Sequence, residues 1–144
     1  MSGYTTYYNC SGDTVTTPSR GQGGIGFIGY QSHPFWLGPL CYQIKSTDSS
    51  IILTRYIYHY LSAHKDLILQ YKNEGGTPSL NTSDLAKVKI AIPSLEEQKR
   101  IVSILDRFDT LCNDLSAGLP AEIAARQQQY EYYRDKLLTF KELT

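Results

Sequence analysis

The stretch that most constrains this chain begins at Ser94. Ser94-Leu95-Glu96-Glu97 opens a run in which Ile101, Ile104, Phe108, Leu111 and Leu115 recur at three- and four-residue steps. A serine followed three residues later by glutamate is a capping box, in which each residue satisfies the other's free backbone N–H at a helix start. The apolar spacing that follows is the a/d seam of a coiled coil. Gly118 and Pro120 interrupt it, and because proline is tolerated in the first turn of a helix, a second helix is expected to open near Pro120. Its apolar line runs Ile123, Tyr130, Tyr133, Leu137 and Phe140, with Arg126 in one seam position. Two helices are thus predicted over 94–117 and 120–140. Their seams need each other or a partner, the plainer alternative being that they fold back as ordinary core.

Before Ser94 the texture differs. DTVTT alternates, GFIGY is aromatic and β-branched, and LCYQIK alternates from Leu40 to Lys45, so short strands separated by turns are expected. Ile52, Leu53, Tyr56, Ile57, Tyr60, Leu61, His64, Leu67, Ile68 and Tyr71 then recur at helical spacing. They predict one amphipathic helix of about five turns, started by Asp48, Ser49 or Ser50 and stopped before Gly75-Gly76. GGTPSLNTSD reads as a loop, with Asn81, Thr82 or Ser83 capping a short turn of helix at DLAKV, and KIAIP as a last strand closed by Pro93. The expectation is α+β: a small mixed α/β domain over 1–93, then long coiled-coil-forming helices over 94–144.

Charge gives no global signature, with 14 basic and 14 acidic residues. Locally, residues 1–93 hold seven Lys/Arg against five Asp/Glu and all three histidines, while 94–144 hold seven against nine. That permits a modestly basic front half. Cys10, Cys41 and Cys112 are scattered without a C-x-x-C, which reads as reduced thiols. With no signal peptide and no membrane-length apolar run, a cytoplasmic protein without a membrane partner is expected.

Chemistry-bearing motifs are few. Gly21, Gly23 and Gly26 in GQGGIGF spell G-x-G-x-x-G, but FIGYQSHPFW follows, and no helix can start there to receive a pyrophosphate. A tight strand-to-strand turn is the reading that fits. His59 and His64 are five apart and lack the i, i+4 zinc spacing. His64 lies on the apolar stripe, as a core histidine would. No base stands near Cys10 or Cys41 in sequence, and Glu96 and Glu97 pair naturally with Arg100. No enzyme, metal site or cofactor is expected. What remains is a polar loop surface carrying Arg20, Gln22, Gln31, Ser32, His33, Lys72, Asn73, Thr77, Ser79 and Asn81, side-chain types that read base edges and hold phosphates.

The run IAIPSLEEQKRIVSILDRFDTLCNDLSAGLPAEIAARQQQYEYYRDKLLTF resembles the conserved helical region of type I restriction-modification specificity subunits. The motifs IPxLEEQKRIVxILDxF and GLPAEIxxRxxQYEYYRxKLLTF carry the likeness. Upstream, GDTVT, GQGGIGF, FWLGPLCYQI, the tyrosine-rich helix and GGTPSLNTSDL are similar to a target recognition domain of that family. The resemblance implies a non-catalytic chain that reads one half of a bipartite target in double-stranded DNA. Its helices would dock modification methyltransferase subunits, with restriction subunits joining the complex. Such subunits usually carry two recognition domains and two helical regions; the resemblance implies one of each here, with the given sequence expected to begin inside the recognition domain, after the opening strand that usually precedes SGYTTYYN.

A half subunit must find its second recognition domain by self-association. A homodimer through Ile101, Ile104, Phe108, Leu111 and Leu115 is therefore expected, with twofold symmetry and a palindromic target. Tyr130, Tyr133, Leu137 and Phe140 are the expected partner-docking residues. Pairing of the two helices within one chain is the competing arrangement. A coiled-coil adaptor or truncated remnant that no longer binds DNA is the rival function.

Overall fold

The computed structural model of the chain describes residues 7–21, 24–114 and 120–139, with the side chains of 113–114 and 120–123 left out. Two compact units divide it, 1–90 and 91–144.

The first unit is built on a sheet of three strands, β1 (Thr14–Pro18), β2 (Gly29–Gln31) and β3 (Cys41–Ile44), in the order β2-β1-β3. Both pairings are antiparallel, with Val15 opposite Tyr30 on one side and Ile44 on the other. The β-branched run Thr14-Val15-Thr16-Thr17 suits the central position, and Thr14, Val15 and Thr17 are fully buried there. One helix, α1 (Thr54–Ala63), packs on this sheet. The core joins Val15, Ile25, Ile28, Ile57, Leu61, Ile68 and Leu80.

The long helix expected from the tyrosine-rich stripe is two helices. α1 ends at His64, whose φ of −123° and ψ of 51° leave the helical region, and α2 (Asp66–Leu69) follows. The His64 ring donates from Nδ1 to the Tyr60 carbonyl at 2.9 Å and stacks on the Tyr60 ring. Asp66 then opens α2 where an acidic side chain favours a helix start. Ile57, Leu61 and Ile68 still reach one core, so the apolar spacing survives the break. The start also differs: Asp48 accepts from the backbone and hydroxyl of Ser50, closing a local turn instead of capping a helix.

α3 is Thr82–Leu85, with Asn81 at its N-cap but no side-chain capping bond, so the short helix precedes most of DLAKV. KIAIP forms no strand. Ile90 packs against the core while Ile92 is exposed, so the alternation marks burial of one side without a ladder partner.

The second unit holds α4 (Leu95–Asp114) and α5 (Pro120–Leu137), packed on each other. The Ser94 hydroxyl accepts the Glu97 N–H at 3.3 Å, one half of the predicted box, while the Glu97 carboxylate binds Arg100 at 2.5 and 2.9 Å. Ile101 and Leu105 are fully buried, Ile104 and Phe108 are half-buried and Leu111 is 45% exposed. The Phe108 ring stacks on Tyr133 at 5.9 Å and meets Tyr130 edge-on at 6.2 Å, so the two helices are joined within the chain. Leu137 is half-buried, and Leu138, off the expected apolar line, is fully buried. Leu115 and Phe140 lie outside the described residues, as does the Ile123 side chain.

Candidate nucleic-acid interface

Beyond Pro18 the central strand loses its regular neighbours. Proline has no N–H to continue the ladder, and past it the chain runs between the residue just before β3 and a new partner in the segment after α2. The Ser19 N–H donates to the Leu40 carbonyl at 2.9 Å, the Leu80 N–H to Ser19 at 2.8 Å and the Gly21 N–H to Pro78 at 3.0 Å. The same segment closes on itself, since Asn73 and Ser79 exchange backbone bonds at 2.8 and 3.1 Å. The Tyr42 hydroxyl ties down its exit by donating to Leu80 at 2.7 Å. Arg20, Ser79 and Asn73 therefore lie side by side through paired bridges.

That edge presents polar groups to solvent. Arg20, Asn73, Thr77 and Asn81 are exposed, and Ser79 and Lys72 are half-buried. Lys72 sits 3.6 Å from Glu74, so its ammonium is partly neutralised before any anion arrives. Gln22 lies outside the described residues.

Gln31 and His33 belong elsewhere. Gln31 pairs with Thr14, at the opposite end of β1 from Arg20. Six residues of extended chain at ~3.3 Å each put these ends roughly 20 Å apart. His33 is exposed and hydrogen-bonded through Nδ1 to the Ser32 hydroxyl at 2.8 Å. The Lys45 ammonium, passed over in the sequence, caps the turn before β1 by donating to Ser11 Oγ at 2.6 Å and the Gly12 carbonyl at 3.1 Å. The predicted residues thus divide into a cluster around Arg20 and a second set at the start of β1.

Sequence reasoning also missed Arg55. Its guanidinium lies 4.5 Å from the Tyr30 ring centroid and 4.6 Å from that of Tyr58, bracing α1 against β2. The Tyr58 contact is an i, i+3 pair on α1, which helical spacing allows, but no spacing rule joins Arg55 to Tyr30 on another element. Exposed Phe27 and Trp36 carried a fainter signal, as aromatics set among glycines and prolines.

Burial pushes the Cys41 thiol up, opposite to what a thiolate needs, and Cys10 is buried.

Residues 1–125 match the protein-family description Type I restriction modification DNA specificity domain. The chain belongs to that specificity family. It is 48% identical over 91 residues to a type I restriction enzyme specificity subunit of Escherichia coli, covering 62% of this chain and 22% of that one. It is 49% identical over 94 residues to a putative type I specificity subunit of Haemophilus influenzae, covering 65% and 23%. A longer but weaker match, 30% over 129 residues, is to the MpnII specificity subunit of Mycoplasma pneumoniae, covering 90% and 38%. This family member thus spans less than a quarter of its E. coli and H. influenzae relatives. The crystal structure of a type I S subunit from M. genitalium shares its fold, with a TM-score of 0.65 at 20% identity over 81% of this chain and 31% of that one. The family and the α+β fold agree with the resemblance read in the sequence. Among the described residues, no helix is long and apolar enough to cross a membrane.

Proposed function

We propose that this chain is a non-catalytic DNA-reading fragment of a type I restriction-modification system. Residues 1–93 act as its target recognition domain, and the helices over 94–144 dock modification methyltransferase subunits. Restriction subunits join through the resulting complex, and the chain itself uses no cofactor. Family membership and the specificity-subunit relatives support the role. The observation that carries the placement is the joining of Arg20, Asn73 and Ser79 on one edge by backbone pairing, with Thr77 and Lys72 beside them. A guanidinium next to amide and hydroxyl groups matches the donors and acceptors of base edges and phosphates. Because backbone bonds hold the edge, little ordering entropy is lost when DNA docks.

The rival is a helical adaptor without DNA affinity, and the in-chain pairing of Phe108 with Tyr130 and Tyr133 is compatible with it. Enrichment from a random duplex pool separates the two. A DNA-reading chain draws out one sequence motif over successive rounds. An adaptor leaves the pool unenriched.

A further inference from the structure

Phe27 stands out at the head of the glycine turn. The residues on either side of it in the chain are buried, Ile25 and Gly26 before it and Ile28 after it, yet the Phe27 side chain is left 59% exposed. Turn tips ordinarily carry polar residues or glycine. An outward Phe here forfeits apolar burial that the neighbouring core is close enough to supply.

The turn beneath it is stiff. The Phe27 N–H donates to the Gly24 carbonyl at 3.1 Å. Gly26 adopts a φ of +95°, and a β-carbon there would meet Leu69 Cδ2 at 2.9 Å, so only glycine closes the turn so tightly. The ring is also supported on one side. A β-carbon built on Gly29 would lie 3.3 Å from Phe27 Cε1, which shows that the ring borders the space a side chain would fill. Gly29 therefore gives the ring room to rest near the sheet while the remainder stays open.

The turn is continuous with the polar edge. A β-carbon on Gly24 would lie 3.7 Å from the Arg20 carbonyl oxygen and 3.5 Å from Pro18 Cβ. Phe27 is thus tied through one hydrogen bond to a residue that lies beside the Arg20 backbone. An exposed aromatic ring held on a stiff turn, whose base lies beside the Arg20 backbone and the hydrogen-bonding edge, has the composition of a nucleobase-stacking site.

We propose that the exposed face of Phe27 stacks on a nucleobase of the bound duplex and opens one base step beside the Arg20 contact. The proposal rests on the DNA-reading function above and adds a shape-reading element to it. Sequences whose steps unstack readily, such as pyrimidine–purine steps, are then preferred at that position without a hydrogen bond to specify them.

The test uses the whole chain and the duplex enriched from the random pool, with 2-aminopurine placed at each position in turn. Wild-type protein is expected to raise the fluorescence at one step only. Phe27→Tyr keeps that rise; Phe27→Leu, which keeps apolar bulk but loses the ring, and Phe27→Ala both abolish it and weaken binding about tenfold, within the range for loss of one base–aromatic stack. Circular dichroism melts of the Leu and Ala variants separate loss of stacking from loss of fold, and the Leu variant decides if the Ala variant unfolds. Tight, sequence-selective binding with no fluorescent step, or Phe27→Leu binding within twofold of wild type with the signal intact, overturns the stacking role and leaves the DNA reading standing. A wild-type chain that enriches no duplex overturns both.

Discussion

Arg20 and Lys72 bring charge to the same edge in different ways, and their variants should differ accordingly. Arg20 is exposed and can present a bidentate fork, whereas Lys72 is already engaged by Glu74. Arg20→Ala is expected to cost about 1–3 kcal/mol on the selected duplex and to relax preference at one base pair. Lys72→Ala should weaken all duplexes alike and lower the salt slope by about one. Fluorescence anisotropy on selected and scrambled duplexes distinguishes these patterns; identical losses for both variants on both duplexes would remove Arg20 as a reader. Gly26→Ala meets both a positive φ and the Leu69 methyl, and should lower unfolding stability by about 1–3 kcal/mol in a denaturant titration. The loop residues were legible in the sequence because glycine beside Asn, Ser and Thr marks a loop. Their joining was not, because Arg20 meets Ser79 through backbone bonds that carry no side-chain signature. Gln31 and His33 looked like members of the same surface for that reason, and β1 holds them at its other end.

Elements were legible where periodicity and local chemistry agree. β1 and β3 follow from β-branched or alternating runs, and α4 and α5 from the capping serine and the Gly118/Pro120 break. The interruption at His64 left no such mark, because no proline or glycine stands there and the apolar stripe continues across it. KIAIP misleads for the converse reason: alternation reports which side is buried, and a strand also needs a free neighbouring edge. At the start of α4 the Arg100 guanidinium holds the Glu97 carboxyl below its ordinary value of 4.5. A carboxyl depressed in the folded state contributes stability that is present above that ordinary value and is lost as pH falls through the folded one. An NMR titration should place Glu97 below 4.5, and Arg100→Gln should bring it back up. In the helix pair, Phe108→Ala removes the ring shared by Tyr130 and Tyr133. It should destabilise the pair by about 2 kcal/mol, less than the ~3–5 kcal/mol of a fully buried Phe. Tyr133→Ala loses a stacked but 41% exposed ring, so it should cost stability of only about 1 kcal/mol. The same variant is expected to abolish assembly with the modification subunit, and co-purification with intact assembly would contradict that docking role.

For the whole molecule, the proposed bipartite reading needs two recognition domains. Leu111 and the rings of Tyr132 and Tyr133 remain exposed after α4 and α5 have paired, leaving apolar surface for a second copy or a modification subunit. We propose that two copies associate through this helical unit. Light scattering at tens of micromolar should then give twice the chain mass of 16.3 kDa, and a monomer at that concentration contradicts self-association. α4 has 20 residues. At 1.5 Å each, a helix of that length covers about 30 Å, near one turn of B-DNA, so a palindrome with a fixed unread spacer is the expected target. The central claim, that this chain reads duplex DNA, is tested most directly by titrating the enriched duplex and a scrambled one at 50 and about 200 mM salt. Tighter binding of the enriched duplex is expected at both concentrations, with log K falling linearly against log salt as phosphate contacts release counterions. No binding at either concentration, or equal binding of both duplexes, would contradict it.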